Sequence, residues 1–117
     1  MEFRRLIGGR TMEITQVHVY PKEDPKVKGY ASIVLDECFL VNDIKVIAGP
    51  NGCFISMPSR KRKNGKFRDI AHPLTKAMRE RIENRVFDEF EKVSGRKIEA
   101  RAIPDGPLDV RPAGPTE

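Results

Sequence analysis

Six basic side chains stand within a stretch of nine residues that contains no acid. They are Arg60, Lys61, Arg62, Lys63, Lys66 and Arg68, and this stretch, residues 60–68, is called the basic segment. The chain of 117 residues has a net charge of +5, so everything outside the basic segment sums to −1, five minus six. Positive charge concentrated in this way is typical of a site for an anionic partner, and a solvated loop without a partner is the alternative.

The basic segment surrounds Asn64-Gly65, a pair that is typical of hairpin turns. A hairpin at this point predicts a two-stranded ribbon with basic residues on both arms. Such a ribbon fits the major groove of DNA, a glycine lets a phosphate approach the backbone, and arginine side chains pair with guanine edges. We therefore predict that all six basic side chains contact nucleic acid.

A second group of basic residues lies in the first half of a predicted helix. Lys76, Arg79, Arg81 and Arg85 precede a half that is rich in acids, which opposes the helix dipole. Arg81 and Arg85 are also like charges four residues apart, which weakens a helix slightly. Both penalties favour a helix start that faces phosphate, with Arg79 and Arg81 as contacts. For Arg85, an ion pair with Glu89 is an equal alternative.

Other side chains that could take part in chemistry are few. Cys38, Cys53, His18 and His72 lack the short spacings of zinc ligands, so we expect no metal site and two small core thiols within strands. The sequence contains no nucleophile elbow, Walker motif or dinucleotide fingerprint. We therefore expect no catalytic residue, no cofactor, no small-molecule substrate and no enzymatic activity.

The elements that position the basic segment follow from hydrophobic periodicity. Alternating or β-branched residues predict strands at 13–20, 29–36, 38–47 and 53–60, with a short fifth strand at 67–71. Asn51-Gly52 and Asn64-Gly65 predict hairpin turns, and Asp36-Glu37 predicts a tight corner. Connections this short indicate an antiparallel meander of about five strands.

Apolar residues then recur at helical spacing, at Met78, Ile82, Val86, Phe90 and Val93. Thr75 is a suitable N-cap for this helix, and Gly95 is a suitable stop. The sequence therefore predicts an α+β fold in which a C-terminal helix packs on one face of the meander.

The strand predicted at 38–47 is apolar on both faces, yet a single helix covers only one face of a sheet. A second copy of the chain would cover the other face. We therefore predict a homodimer, with Leu40, Ile44 and Val46 in the interface.

Composition divides the chain into three parts. Residues 1–11 form an N-terminal extension, residues 12–95 hold the predicted elements, and residues 96–117, which are rich in proline, are expected to be a partly flexible tail. No apolar run approaches ~20 residues, and the extension does not fit a signal peptide, so no membrane partner is expected. With only two cysteines in the chain, we expect a cytoplasmic location.

Two blocks of the sequence resemble the SpoVG family (stage V sporulation protein G, septation regulator). They are FLVNDIKVIAGPNGCFISMPS, which begins at Phe39, and GKFRDIAHP, which ends at Pro73. The resemblance extends from Met12 to about Val93. It implies that residues 12–95 are a small α+β nucleic-acid-binding domain, that the protein is a homodimer, and that it binds DNA and also RNA as a gene regulator.

The resemblance also implies residue roles. The family's basic pair after M-P-S corresponds to Arg60 and Lys61, the arginine of R-D-I-A-H-P to Arg68, and the basic helix start most closely to Arg79. The chain departs from the family at the hairpin tip, where Arg62, Lys63 and Lys66 stand in place of neutral or acidic residues. This departure suggests tighter and less selective binding of phosphate.

The expectation is a homodimeric DNA- and RNA-binding regulator linked to septation, sporulation or envelope processes. The alternative is a protein-interaction adaptor in cell division, which would bind an acidic partner with the same basic segment and would not bind nucleic acid. The dependence of nucleic-acid binding on salt discriminates between them. Phe67 is the only aromatic residue in the basic segment, which gives weak support to base stacking.

Overall fold

The computed structural model describes residues 12–101 and shows an α+β fold, as predicted. Four strands form an antiparallel sheet in the order β1-β2-β3-β4, with bounds Ile14–Pro21, Val27–Leu35, Phe39–Gly49 and Gly52–Ser56. Strands β5 (Ser59–Lys61) and β6 (Phe67–Asp69) form a separate antiparallel pair, and helix α1 (Lys76–Ser94) follows. The predicted extension at residues 1–11 and residues 102–117 of the predicted tail lie outside the described residues.

The corner between β2 and β3 is as tight as predicted. Asp36 and Glu37 have φ values of 51° and 60°, and the backbone N–H of Cys38 donates to the carbonyl of Leu35 at 3.0 Å. The Asp36 carboxylate accepts a hydrogen bond from the backbone N–H of Glu13 at 2.9 Å, which stabilises the strained pair. Cys38 therefore lies in an exposed turn, and its predicted place as a core thiol within a strand is wrong.

The predicted fourth strand, 53–60, is two strands in different sheets. Strand β4 ends at Ser56, Met57 is buried, and β5 begins at Ser59 after Pro58. Proline has no N–H to donate and is excluded from the middle of a sheet, so the chain leaves the main sheet at this residue. The meander thus has four strands, and the basic segment is held in a sheet of its own.

A bulge in β1 changes which side chains enter the core. The register with β2 shifts between Ile14 and Gln16, and as a result Ile14 is buried together with Val19. Strict alternation would place these two residues on opposite faces, so the bulge adds one apolar side chain to the covered face.

A second irregularity lies in β3, where Asp43 adopts a φ of 63° and the register with β2 shifts between Ala31 and Ile33. The extra residue reverses the alternation, so that Ile44 and Val46 join the core and have no exposed area at all. Leu40 precedes the bulge and lies on the other face, where 53% of it is exposed. Leu40 and Ile44 are therefore on opposite faces of the sheet, which the sequence pattern did not predict.

Helix α1 begins and ends where the sequence predicted. The Thr75 hydroxyl accepts the backbone N–H of Met78 at 3.1 Å, and Gly95, with a φ of 74°, donates its N–H to the carbonyl of Glu91. Its buried face differs slightly from the predicted stripe, because Phe87 is buried and Val93 is exposed. Within residues 12–101, no helix is long and apolar enough to cross a lipid bilayer.

The core lies between α1 and one face of the main sheet, called the covered face. Its buried apolar members are Ile14, Val19, Ala31, Ile33, Leu35, Val41, Ile44, Val46, Ile55, Met57, Ile82, Val86, Phe87 and Phe90. The opposite face is called the outer face, and the one helix of residues 12–101 packs on the covered face instead.

Strand β4 is an edge strand, and its outward backbone groups are occupied by polar contacts. The Ile55 N–H donates to the Glu83 carboxylate at 3.3 Å, and the Ile55 carbonyl accepts from the Arg79 guanidinium at 2.5 Å. Arg79 and Glu83 also face each other as an ion pair, with Nε and Oε2 3.4 Å apart. Glu83 is almost fully buried. Because both side chains also bind Ile55, the pair joins the first half of α1 to the edge of the sheet.

Two residues earlier on the same edge, residues 99–101 bind to β4. The Cys53 N–H donates to the carbonyl of Glu99 at 2.6 Å, and the Arg101 N–H donates to the Cys53 carbonyl at 2.9 Å. Gly52 permits this approach, because a Cβ atom there would lie 2.8 Å from the backbone nitrogen of Arg101.

Substitution of Glu83 tests the polar junction between helix and sheet. We expect Glu83→Ala to lower the free energy of unfolding by about 3 kcal/mol, because it leaves the Ile55 N–H and the Arg79 charge without their partner. Chemical denaturation measures the effect. Glu80→Ala, at an exposed position on the same helix, is the matched control and should change stability by no more than about 0.5 kcal/mol. Equal effects of the two substitutions would contradict the assignment.

Substitution of Gly52 tests the contact with residues 99–101. Gly52→Ala creates both a positive-φ alanine, at φ 123°, and a clash with the backbone of Arg101 and Glu99. Gly65→Ala is the control, since its φ is 85° but a Cβ atom there meets nothing within 4 Å. We expect the control to cost roughly 1–2 kcal/mol, and Gly52→Ala to cost more and to lose hydrogen-exchange protection at the Arg101 amide. Retained protection at that amide would show that the close approach is not required.

Candidate nucleic-acid interface

The basic segment forms the two-stranded ribbon that the sequence predicted. Strands β5 and β6 and the turn between them, residues 59–69, are called the basic ribbon. Its register pairs Ser59 with Asp69, Arg60 with Arg68, and Lys61 with Phe67. The Ile70 N–H donates to the carbonyl of Pro58 at 2.6 Å and closes the base of the ribbon.

The turn of the basic ribbon has three residues rather than two. Arg62 donates its N–H to the Lys66 carbonyl at 2.7 Å, and Gly65 donates to the Arg62 carbonyl at 2.9 Å. Gly65 has a φ of 85°, as expected for the left-handed residue that ends such a loop, and the Asn64 side chain accepts the Lys66 N–H at 2.9 Å. The tip is therefore a defined turn with an open backbone at Gly65.

The structure brings the six predicted basic residues together on this one element. Arg60, Lys61, Lys63, Lys66 and Arg68 are exposed, and Arg62 is half-buried. Arg60 and Arg68 are direct cross-strand partners, so their side chains lie on the same face of the ribbon. Because like charges in this arrangement repel, an anion placed between the two guanidinium groups would stabilise the ribbon.

The start of α1 contributes less than predicted. Arg79 is directed at Glu83 and the Ile55 carbonyl, so the structure gives no support to its predicted contact with nucleic acid. Arg85 donates to the carbonyl of Ile14 at the β1 bulge, which neither predicted alternative included. Arg81 is half-buried and donates to the sulfur of Met78 at 3.3 Å. Tertiary contacts inside the domain thus engage these three guanidinium groups.

The residues predicted for the dimer interface are divided between the two faces of the sheet. Ile44 and Val46 are fully buried under α1, so no surface of theirs remains for a partner, and their assignment to an interface is wrong. Leu40 alone is placed where an interface could form. The outer face has further apolar residues that were not predicted from the sequence, namely Tyr20, Tyr30, Val34, Ile47 and Phe54.

Two cations lie over aromatic rings among these missed residues. The Lys22 ammonium is 5.5 Å from the centroid of the Tyr30 ring, and the Arg101 guanidinium is 4.6 Å from that of Phe54. Alternation within β2 and β4 was the signal that could have revealed these aromatic positions. The contribution of Lys22 and Arg101, by contrast, depends on loops that fold back onto the sheet.

The cysteines and histidines do not converge. In the described part of the chain, no three Cys, His, Asp or Glu side chains are arranged to hold a metal ion. His18 contacts the Gln16 amide at 3.2 Å, and His72 contacts the carbonyl of Pro73 at 3.0 Å. Cys53 is half-buried beside the core, and burial raises the pKa of its thiol, so that it is protonated at neutral pH.

Comparison with known proteins places this geometry in a family. The SpoVG family profile matches residues 12–92. A relative from Bdellovibrio bacteriovorus is 52% identical over 81 residues, which cover 69% of this chain and 75% of the relative. Relatives from Anaeromyxobacter sp. (strain Fw109-5) and Myxococcus xanthus are 51% and 48% identical over 81 residues, which again cover 69% of this chain and 84% and 82% of theirs.

The names of these three relatives describe them as SpoVG proteins of septation. The matched residues include the whole main sheet, the basic ribbon and nearly all of α1. The resemblance seen in the sequence is therefore confirmed, and this chain belongs to the SpoVG family.

Proposed function

We propose that this chain is a homodimeric regulator that binds DNA and RNA through the basic ribbon. The observation that supports the proposal best is the Arg60–Arg68 pair, two like charges held directly opposite each other on an exposed ribbon. Such a pair destabilises the free protein, and a bridging phosphate would turn its repulsion into two charge-assisted contacts. A ribbon selected for stability alone would not need this arrangement.

The remaining charges of the ribbon support the same proposal. Lys61, Lys63 and Lys66 are exposed on the strands and around the turn, and residues 60–68 contain no acid. A row of phosphates is the anion that matches several cations at close spacing. Because Arg79 is engaged inside the domain, the proposed contact surface is the ribbon, and Arg81 stays a secondary candidate at the start of α1.

The outer face supports the proposed homodimer. Leu40 is 53% exposed on this face and pairs across the strands with half-buried Val34, and half-buried Ile47 and Phe54 form a second pair near the other end of β3. Exposed apolar side chains on a sheet face that no helix covers are typical of an interface, and a second copy of the same face is the simplest complement. We propose that Leu40 lies in this interface and that Ile44 and Val46 act only in the core.

The names of the relatives suggest septation as the process in which the regulator acts. We place it in the cytoplasm, without a catalytic role, a cofactor or a small-molecule substrate. The rival function is an adaptor in cell division that uses the basic ribbon on an acidic protein. Failure of the wild-type protein to retard either DNA or RNA at ~50 mM salt, where phosphate contacts are strongest, would exclude our proposal and favour the adaptor.

Charge removal at the ribbon tip tests the phosphate contacts. For Lys63→Ala with Lys66→Ala, we expect the slope of log K against log salt to flatten by up to about two units per ribbon for duplex DNA, because each lost contact releases one counterion fewer. Fluorescence anisotropy at several salt concentrations measures the slope. Lys26→Ala with Lys92→Ala removes the same charge from exposed positions in the main domain, in the loop before β2 and in α1, and should leave the slope nearly unchanged. Equal flattening by both pairs would point to net charge rather than to the ribbon.

Substitution on the outer face tests the dimer. Light scattering of the wild-type protein at micromolar concentration should give about twice 13.3 kDa, and Leu40→Glu should shift it to the monomer, because a charge would be buried in an apolar interface. Leu74→Glu introduces the same change at another exposed leucine and should leave the dimer intact. A wild-type monomer, or a monomer produced only by Leu74→Glu, would contradict an interface on the outer face.

A further inference from the structure

Phe67 is the most exposed large apolar side chain in residues 12–101, with 69% of its surface open to solvent. It lies in β6, in the middle of the basic ribbon, and its neighbours along the chain are Lys66 and Arg68. An exposed aromatic ring surrounded by cations contributes nothing to the core of this domain. Its position suggests a role in binding.

The ribbon register gives the two faces of the ribbon different chemistry. One face presents Arg60 and Arg68, which are cross-strand partners. Lys61 and Phe67 are the neighbouring pair, and because successive residues of a strand alternate, both lie on the opposite face. One face thus has two guanidinium groups suited to phosphate. The other has a flat ring beside the Lys61 ammonium group, with the Asp69 carboxylate on the same face at the base of the ribbon.

The Phe67 ring is 69% exposed in a two-stranded sheet that is not hydrogen-bonded to the main sheet, so most of the ring is open to a ligand. A nucleobase is a flat π system that is attached to a phosphate, and it matches a ring flanked by cations. In a duplex the faces of the bases are hidden in the stack, whereas an unpaired base presents its face freely. The open backbone at Gly65 leaves the tip accessible to a strand that passes over the ribbon.

We propose that Phe67 stacks on an unpaired base, so that the ligand class preferred by the ribbon is single-stranded nucleic acid. This inference rests on the proposed function, since it requires that the ribbon binds nucleic acid at all. Lys61 would contact the phosphate next to the stacked base, and Arg60 and Arg68 would contact the phosphates on the other face. The stacking is tolerant of sequence, because every base has a π face.

The test compares a 20-nucleotide oligo(dT) strand with a hairpin duplex of the same number of phosphates, at one salt concentration. Phe67→Ala should weaken binding to the single strand by about 5- to 150-fold, the effect of losing one stacked base. Binding to the duplex should change by less than about threefold, and the salt slope should be unchanged since no charge is lost. Phe67→Tyr keeps the ring and should bind as the wild type does, whereas Phe67→Leu keeps the apolar bulk and should fail as Phe67→Ala does.

A strand with one 2-aminopurine gives a direct spectroscopic readout, because its fluorescence is quenched on stacking. Quenching by the wild-type protein and by Phe67→Tyr, but not by Phe67→Leu, is the expected result. Equal loss on single strand and duplex, or wild-type binding by Phe67→Leu, would overturn the stacking. A change of the light-scattering mass in Phe67→Ala would overturn it as well and would assign the ring to an interface between copies.

The outcomes separate this inference from the proposed function. If Lys63→Ala with Lys66→Ala weakens binding to both ligands while Phe67→Ala weakens neither, the ribbon binds phosphate and the stacking is wrong. If the wild-type protein binds neither ligand, the proposed function is wrong and the stacking with it.

Discussion

The outward edge of β4 is the constraint on which the rest of this domain depends. An edge strand presents backbone N–H and C=O groups that must be paired or hydrated, and when they are unpaired they invite association with other chains. Here the groups of Ile55 are bound by Glu83 and Arg79, and those of Cys53 by residues 99–101. The ion pair that does this is nearly buried, so its own desolvation offsets much of its attraction. Its contribution lies in fixing α1 against the sheet, and it engages an arginine that would otherwise be available to a ligand.

Because the edge of β4 is occupied and Pro58 has no N–H, the chain that follows it forms a sheet of its own. A two-stranded ribbon is marginally stable by itself, and repulsion between Arg60 and Arg68 weakens this one further. The basic segment, which holds the densest positive charge of the sequence, therefore lies on the element that has the least stability by itself.

Of the two sets of contacts that pair the outward edge of β4, only the contacts at Ile55 lie wholly within the residues matched by the family profile. Residues 12–92 include Arg79 and Glu83, whereas residues 99–101, which bind Cys53, lie beyond the matched span. The residues that contact Ile55 thus lie within the matched span, and those that contact Cys53 from the segment after α1 lie outside it. Gly52 allows the contact of that segment with β4, because any side chain there would meet the backbone of Arg101.

The sequence by itself determined the elements whose signals are local: the Thr75 and Gly95 ends of α1, the meander, and a hairpin that gathers the basic segment around Gly65. In each case a few neighbouring residues specify the backbone conformation, and the family resemblance agreed with them. Only the tertiary structure decided which side chains face which partner. The bulge at Asp43 reverses the alternation of β3, so that Ile44 lies in the core. Arg79, predicted to contact a ligand, binds the edge of β4 instead. Neither outcome could be predicted from local sequence, because both depend on residues that are distant in sequence and adjacent in space.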